Sequence, residues 1–332
     1  MPEKRRFSGR ERALLRTLQE IDNMKRVNPR HGSMQFWPRR RAKSSLARVR
    51  SWPTGKDVTL AGFLGYKVGM AHITATEPAA KNAPITIPCT ILECPPLGIL
   101  SARFYLNKQI QTEVLAQNLD EALARTIALP KKNEKTLDNV EKEYDEIRLL
   151  MYSQPKLTTI GKKKPDVLEV ALGGKEQLDW VKENFDKQIA VSDVFKAGDL
   201  VDAHAITTGK GYQGVIKRFG VTLKAKKSEK GQRRVGSRSG GWYAQAHMMY
   251  RVAQPGKMGF HTRTEYNKKI LIMGDGLENK AGFKRYGEVK NTYVAIKGSL
   301  GGSVKRAVKL TVASRPSKKL NNQQFNNMKV IL

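Results

Sequence analysis

The sequence predicts a mainly β protein: a closed or nearly closed β-barrel of short strands, with an α+β insertion and two long basic extensions, an N-terminal arm and an internal loop. Three observations carry this reading. From residue 57 on, short runs of Val, Ile, Thr and Leu recur between Gly and Pro. Within 109–195 the pattern shifts to helical spacing alternating with strands. Positive charge is concentrated elsewhere: residues 1–56 hold 16 Lys/Arg against 4 Asp/Glu and residues 208–270 hold 15 against 2, whereas 109–195 hold 13 against 16. That partition separates a part facing a polyanion from a part facing water.

Taken in order, residues 1–56 form the arm. Its stretch "RVNPRHGSMQFWPRRRAKSSLARVRSWPTGK" has little apolar periodicity and contains Pro29, Pro38 and Pro53, which exclude long helices. Such a segment cannot bury enough apolar surface to fold alone. It reads either as a disordered tail or as an arm that orders against nucleic acid, with Phe36, Trp37 and Trp52 among the arginines. Base stacking on such rings is worth about 1–3 kcal/mol per base.

Residues 57–108 supply the first part of the barrel, through "DVTLAGFLGYKVGMAHITAT" and "APITIPCTILECPPLGILSARFYL". Residues 109–195 are the solvent-facing insertion. In "IQTEVLAQNLDEALARTIALP", Val114, Leu115, Leu119, Leu123 and Ile127 fall on one helical face, which predicts a helix ended by Pro130. "GGKEQLDWVKENFDK" predicts a second helix, and "IRLLMYSQP" and "PDVLEVALGG" predict strands between the two. Residues 196–220 return to barrel strands. Residues 221–262 form the long basic internal loop, and 263–332 hold the remaining barrel strands, among them "NKKILIMGDG", "NTYVAIKGSLGG" and "RAVKLTVAS", with a C-terminal tail.

The chain carries 61 Lys/Arg and 30 Asp/Glu, a formal net charge of +31. A compact fold with that excess repels itself unless a polyanion neutralises it. Nucleic acid and an anionic membrane are the two candidates. No apolar run approaches the roughly 18–20 residues that span a bilayer, and the N-terminal residues lack the apolar core of a secretory signal. Two cysteines make no disulfide framework, so a reducing cytoplasm is expected.

The chemical motifs are mostly negative. "GKGYQG" (209–214) fits G-x-G-x-x-G, but only "VIKRF" follows before Gly220, and the acidic partner of a dinucleotide site is missing. A glycine turn into a basic loop fits better, and glycines also let backbone N–H groups approach phosphates. His31, His72, His204, His247 and His261 form no metal pair, and Cys89 and Cys94 have no partner pair for zinc. No catalytic residue, metal site or cofactor is nominated. The loop "KAKKSEKGQRRVGSRSGG" lacks an apolar period, and a stretch of this kind inside a domain is expected to be functional. Trp242 follows it, either as a core anchor at the loop base or as a ring presented outward to stack on or wedge between bases, together with Tyr243 and His247.

At these residues the chain resembles the universal large-subunit ribosomal protein L-three family, in its archaeal type. "GYKVGMAHI" (65–73), "GKGYQGVIKRF" (209–219) and "GKMGFHTRTEYNKKI" (256–270) are similar to that family's strand motif and its two most specific signatures, and "HGSMQFWPRRRAK" with "SWP" resembles its archaeal and eukaryotic arm. The resemblance spans nearly the whole chain in order. It implies a barrel like that of translation factors, an rRNA-binding structural role in the large subunit, action early in subunit assembly, and a loop running toward the peptidyl transferase centre. It places a tryptophan finger at Gly240, Gly241 and Trp242. Relatives commonly have proline two residues after the tryptophan and arginine two further on; this chain has Ala244 and Ala246, and Arg251 offers the charge from a shifted position.

The residues expected to contact rRNA are Arg30, His31, Trp37, Arg39, Arg40, Arg41, Lys43, Arg48, Arg50 and Trp52 in the arm. In the second basic segment they are Lys210, Lys217, Arg218, Lys224, Lys226, Lys227, Lys230, Arg233, Arg234, Arg238, Trp242, Tyr243, His247, Arg251, Lys257, His261, Arg263, Lys268 and Lys269. The expected partners are large-subunit rRNA and neighbouring large-subunit proteins, in a single copy per ribosome, with no membrane, no small-molecule substrate and no cofactor; structural Mg2+ would enter only through the rRNA. An RNA-modifying enzyme and a non-ribosomal RNA chaperone are the competing readings.

Overall fold

The computed structural model describes residues 31–53, 55, 57–78, 83–130, 135–137, 143–227, 230–233, 247–277 and 282–331. Strands dominate, so the protein is mainly β. In chain order they are β1 (Gly62–Thr76), β2 (Pro84–Glu93), β3 (Leu97–Leu106), β4 (Gln109–Leu115), β5 (Glu146–Ser153), β6 (Val167–Ala171), β7 (Leu200–Ile206), β8 (Tyr212–Gln213), β9 (Gly256–Lys257), β10 (Thr262–Leu277), β11 (Val289–Lys297), β12 (Ala307–Val312) and β13 (Asn326–Ile331). Three short helices accompany them: α1 (Gln177–Asn184), α2 (Val215–Phe219) and α3 (Lys318–Asn321). Among the described residues no helix is long and apolar enough to cross a membrane.

The chain divides into two compact units, residues 1–39 with 212–257, and residues 40–211 with 258–332. The second holds a seven-stranded antiparallel sheet in the order β12-β7-β10-β11-β2-β1-β13, with β12 also paired to β1, and a four-stranded sheet in the order β4-β3-β5-β6. β1 serves two partners along one edge. Gly62–Tyr66 pair with β12 and His72–Thr76 with β13, while a bulge at Lys67–Gly69 interrupts its pairing with β2 on the other edge. A bulge adds twist and re-aims the strand, and the change of partner falls there. The first unit holds the β8–β9 pair.

Both larger sheets share one apolar core. Phe63, Ile91, Val294, Val308 and Leu310 come from the first, and Phe104, Ile147, Leu149 and Val170 from the second, all essentially without solvent exposure. Polar groups lock this core at defined points. The Tyr66 hydroxyl is 2.7 Å from Ser153 Oγ and donates to Asp166 Oδ2 at 2.8 Å, which joins β1 to the four-stranded sheet. Glu93 has 0% exposure. It accepts the N–H groups of Lys290 at 3.1 Å and Asn291 at 3.0 Å, the Asn291 side-chain amide at 2.7 Å, and the Tyr286 hydroxyl. Asp202 accepts from Asn267 N at 2.8 Å and from both Ser314 N and Oγ at 3.0 Å, which fixes the irregular turn of β10 against the chain leaving β12.

Several expectations change against this fold. The expected helix over 110–129 is instead β4 followed by a 3₁₀ turn at Glu121–Arg125. Asn107 and Lys108 both have positive φ (49° and 64°), the signature of a two-residue hairpin turn, and this commits the chain to pair with β3. Asp120 then caps the 3₁₀ turn through Ala122 N at 2.8 Å. β3, expected with the barrel strands, lies in the four-stranded sheet between β4 and β5. "VIKRF", expected to be extended, forms α2, closed by Gly220 in the left-handed conformation. Residues 326–331, expected as tail, form β13. The second predicted helix is α1, and the strands expected at 147–155 and 165–174 are β5 and β6.

Lys309 on β12 is only 6% exposed. Burial pushes its ammonium down to about 8, against an upward pull from Glu169 and Asp166. Between pH 8 and about 10.5 the unfolded chain therefore binds a proton that the folded chain does not. Stability should rise with pH across that window, by about 3 kcal/mol. A Lys309→Met chain should lack this rise and be more stable than the parent at pH 7, as read from urea melts at pH 7, 9 and 10. Equal pH dependence in the two chains would contradict the assignment.

Candidate nucleic-acid interface

The motif "GKMGFHTRT" organises one side of the larger unit. Gly259 has φ +75°, and a Cβ there would lie 2.1 Å from Thr208 O, so only glycine permits this approach of two backbones. The strands are stitched around it: Lys210 N donates to Met258 O at 2.9 Å, Met258 N to Gly211 O at 2.9 Å, and Thr207 N to His261 O at 3.0 Å. The His261 ring is buried, and its Nδ1–H donates to Arg40 O at 2.7 Å. Ala42 N donates to Phe260 O at 2.8 Å. His261, expected to touch RNA, thus holds residues 40–42 of the arm on the sheet, and it leaves the Arg40, Arg41 and Lys43 side chains exposed.

Farther along the arm, Ala47 is buried and Leu46 and Trp52 pack on the core. Arg48 and Arg50 alternate outward and are exposed. The expected stacking ring of Trp52 is therefore half-buried as a packing residue. Arg306, which no sequence signal marks, supports the same corner. Its Nη1 donates to Ile206 O at 2.9 Å and Thr207 O at 3.0 Å, and its guanidinium lies 5.2 Å from the Phe260 ring centre, with Arg41 at 5.6 Å.

Other nominated cations make contacts within the protein. Lys268 Nζ is 2.9 Å from Glu265 Oε2 and donates to Ser299 O at 3.0 Å. Lys269 is buried and donates to Leu320 O at 3.1 Å, Asn321 O at 3.3 Å and Gln323 O. A cation at the carbonyl end of α3 suits the helix dipole. Burial lowers the proton affinity of Lys269 and of half-buried Arg263, whose Nη1 donates to Thr262 O at 2.8 Å. Lys210 is exposed.

The smaller unit has its own framework. Trp37 Nε1–H donates to Ser33 O at 2.9 Å, and its ring meets Phe219 at 5.8 Å and Tyr250 edge-on at 6.2 Å. The Arg39 guanidinium sits 4.1 Å from the Phe219 centre and donates to Arg218 O at 2.5 Å. Arg218 donates through Nη1 to Gln254 O at 2.8 Å and through Nε to Lys257 O at 3.1 Å. Arg39, Arg218 and Trp37 therefore build the unit, with each cation–ring contact worth about 0.5–1 kcal/mol. His31 and Lys224 are half-buried, whereas Lys217, Lys226, Lys227, Lys230, Arg233, His247, Arg251 and Lys257 are exposed. Arg30, Arg234, Arg238, Gly240, Gly241, Trp242 and Tyr243, together with Ala244 and Ala246, lie outside the described residues.

No group of three or more His, Cys, Asp or Glu side chains is placed to hold a metal among the described residues. Burial raises both cysteine thiols, Cys89 to about 11, so neither is a nucleophile near neutral pH. What remains is a basic, mainly β protein whose exposed cations are suited to holding a polyanion.

Comparison with known proteins sharpens that class. Residues 22–331 match the family model of ribosomal protein L3, and the chain belongs to that family. It is similar to the large ribosomal subunit protein uL3 of Methanocaldococcus jannaschii, 44% identical over 88% of this chain and 93% of the relative. The uL3 proteins of Archaeoglobus fulgidus (41% identical, 89% and 94% covered) and Methanobrevibacter smithii (42% identical, 88% and 93% covered) are similar to the same extent.

His261→Leu removes the donor to Arg40 O. It should speed tryptic cleavage after Arg40 and Arg41 severalfold while lowering global stability by only about 1 kcal/mol. Gly259→Ala, blocked by Thr208 O, should cost more, at least about 2 kcal/mol. Cleavage at Arg40 unchanged in the His261 variant would show that the ring does not hold the arm.

Proposed function

We propose that this protein is a structural constituent of the large ribosomal subunit and binds large-subunit rRNA without performing chemistry. The observation that carries the reading is the family match from residue 22 to 331, joined to archaeal relatives that are themselves named large-subunit proteins. The net charge of +31 and the exposed cations of the arm and of the second basic segment support it.

In finer detail, the seven-stranded sheet acts as a translation-factor-like barrel that anchors the chain; the pairing of β12 with both β7 and β1 supports this. Residues 109–195 are an α+β insertion facing solvent, a reading supported by their charge balance and by the ion pairs Arg148–Glu169 and Lys162–Asp166. Residues 1–56 and 221–262 enter the RNA. The loop carries Gly240, Gly241 and Trp242 toward the peptidyl transferase centre, and the protein acts early in subunit assembly. It works in one copy beside other large-subunit proteins on cytoplasmic ribosomes, and Mg2+ enters only through the rRNA.

The test is sedimentation. The tagged chain should travel with large subunits and stay with them at moderate salt. Recovery mainly in the free soluble fraction would favour an RNA chaperone, and turnover of an RNA substrate would favour a modifying enzyme. Trp242→Ala should impair translation by assembled subunits while leaving the unfolding free energy of the isolated chain within about 0.5 kcal/mol. Unfolding of that variant would make Trp242 a core residue.

A further inference from the structure

A cavity of about 650 Å³ opens on the larger unit, and its cations lie outside both basic segments. It is lined by Lys67, Gly69 and Met70 at the β1 bulge, by Thr208, by Arg285, and by Gly302, Ser303, Val304 and Lys305. None of its cations belongs to the set that the charge distribution singles out.

Its rim is built in a specific way. Lys67 Nζ donates to Leu300 O at 2.5 Å and to Gly302 O at 3.3 Å, which draws the glycine loop 300–302 against β1. Lys305 N donates to Lys67 O at 2.8 Å. On the other side, Phe283 N donates to Gly287 O at 2.8 Å, and Tyr286 of the same turn donates to buried Glu93, so the turn bearing Arg285 is fixed to the core. Gly301 N donates to Glu265 Oε1 at 2.8 Å. The next three amides, those of Gly302, Ser303 and Val304, donate to no protein acceptor among the described residues. Successive unspent amides beside a glycine with φ +104° are an anion-binding arrangement.

The two exposed cations add a second, independent sign. Arg285 has φ +68° and Lys305 has φ +69°, so both hold a left-handed backbone that glycine or asparagine would adopt at lower cost. Neither side chain has a carboxylate partner among the described residues. Two long cations with left-handed backbones share the lining of one cavity with these unspent amides, a combination suited to an anionic ligand. Met70, 53% exposed on the same cavity, provides apolar surface for a sugar or base beside the anion.

We propose that this cavity is a third rRNA contact: the amides of Gly302–Val304 with Arg285 and Lys305 hold a backbone phosphate, and Lys67 positions the loop. This rests on the rRNA-binding reading above.

The test separates the two claims. Arg285→Gly and Lys305→Gly chains, full length, are titrated with protein-free large-subunit rRNA over a salt series and melted in parallel. Each should lose severalfold in affinity near 0.15 M salt, with a log K against log salt slope shallower by about 1. Each should melt at or above the parent temperature, because the strain is relieved. Lys187→Ala, an exposed lysine of the 109–195 region, should change neither quantity. A parental slope in both glycine variants overturns the cavity site and leaves the general reading standing, whereas a parent chain without salt-dependent rRNA binding sinks both. Cys89 and Cys94 are buried, so Lys305→Cys supplies one accessible thiol for a photo-crosslinker. Adducts to rRNA in assembled large subunits are expected; adducts only to protein would overturn the proposal in favour of an acidic segment of a neighbour.

Discussion

The structure depends on where its scarce carboxylates go. With 30 acids against 61 bases, each carboxylate spent on a surface cation is lost to the interior. In the larger unit some pair with cations, as Glu169 does with Arg148 and Glu265 with Lys268, but others serve as acceptors for backbone and hydroxyl protons. Glu93 gathers residues 286–291, Asp202 ties Asn267 to Ser314, and Asp145 takes the Asn107 amide of the β3–β4 turn at 2.7 Å. A charged acceptor makes a hydrogen bond roughly twice as strong as a neutral one. The same few acids therefore stabilise the irregular loops, while Arg40, Arg41, Arg48 and Arg50 have no carboxylate partner among the described residues. Folding and RNA affinity draw on one allocation of charge.

A division among the cations follows. Arg39, Arg218, Lys268, Lys269 and Arg306 donate to carbonyls, and the three guanidinium groups also lie against the Phe219 or Phe260 ring. Arg40, Arg41, Arg48 and Arg50 stand outward on a backbone held by His261, Ala42 and Ala47. Arginine suits both tasks because its planar fork meets a carbonyl or a phosphate with the same geometry. A charge count alone cannot divide them. The division depends on which residues face the sheet, and that is settled by contacts between segments distant in the chain.

This is also the limit of what could be read from the sequence. The β class, most strands and α1 were visible, because apolar periodicity is local. Over 110–129 the helical spacing of Val114, Leu119 and Leu123 is overridden by Asn107–Lys108, whose turn geometry commits the chain to a hairpin. The family signatures were legible as motifs, but the role of His261 was not: its partner Arg40 is 221 residues away. Trp37 and Trp52 looked like stacking rings because their neighbours are basic, yet each is half-buried against other apolar groups. The cavity at Lys305 escaped because its signal is a pair of backbone conformations, which no residue pattern announces.

The change of partner along β1 has a consequence in time. Thr74 pairs with Lys329, 255 residues later. At about 5–20 residues per second of synthesis, that edge of β1 stays unpaired for roughly 13–50 s after it is made. An open strand edge in a nascent, strongly basic chain is exposed both to other strands and to any nearby polyanion. The six residues of β13 thus act as a closing clasp, and the sheet cannot be complete until residue 331 has left the machine that makes it.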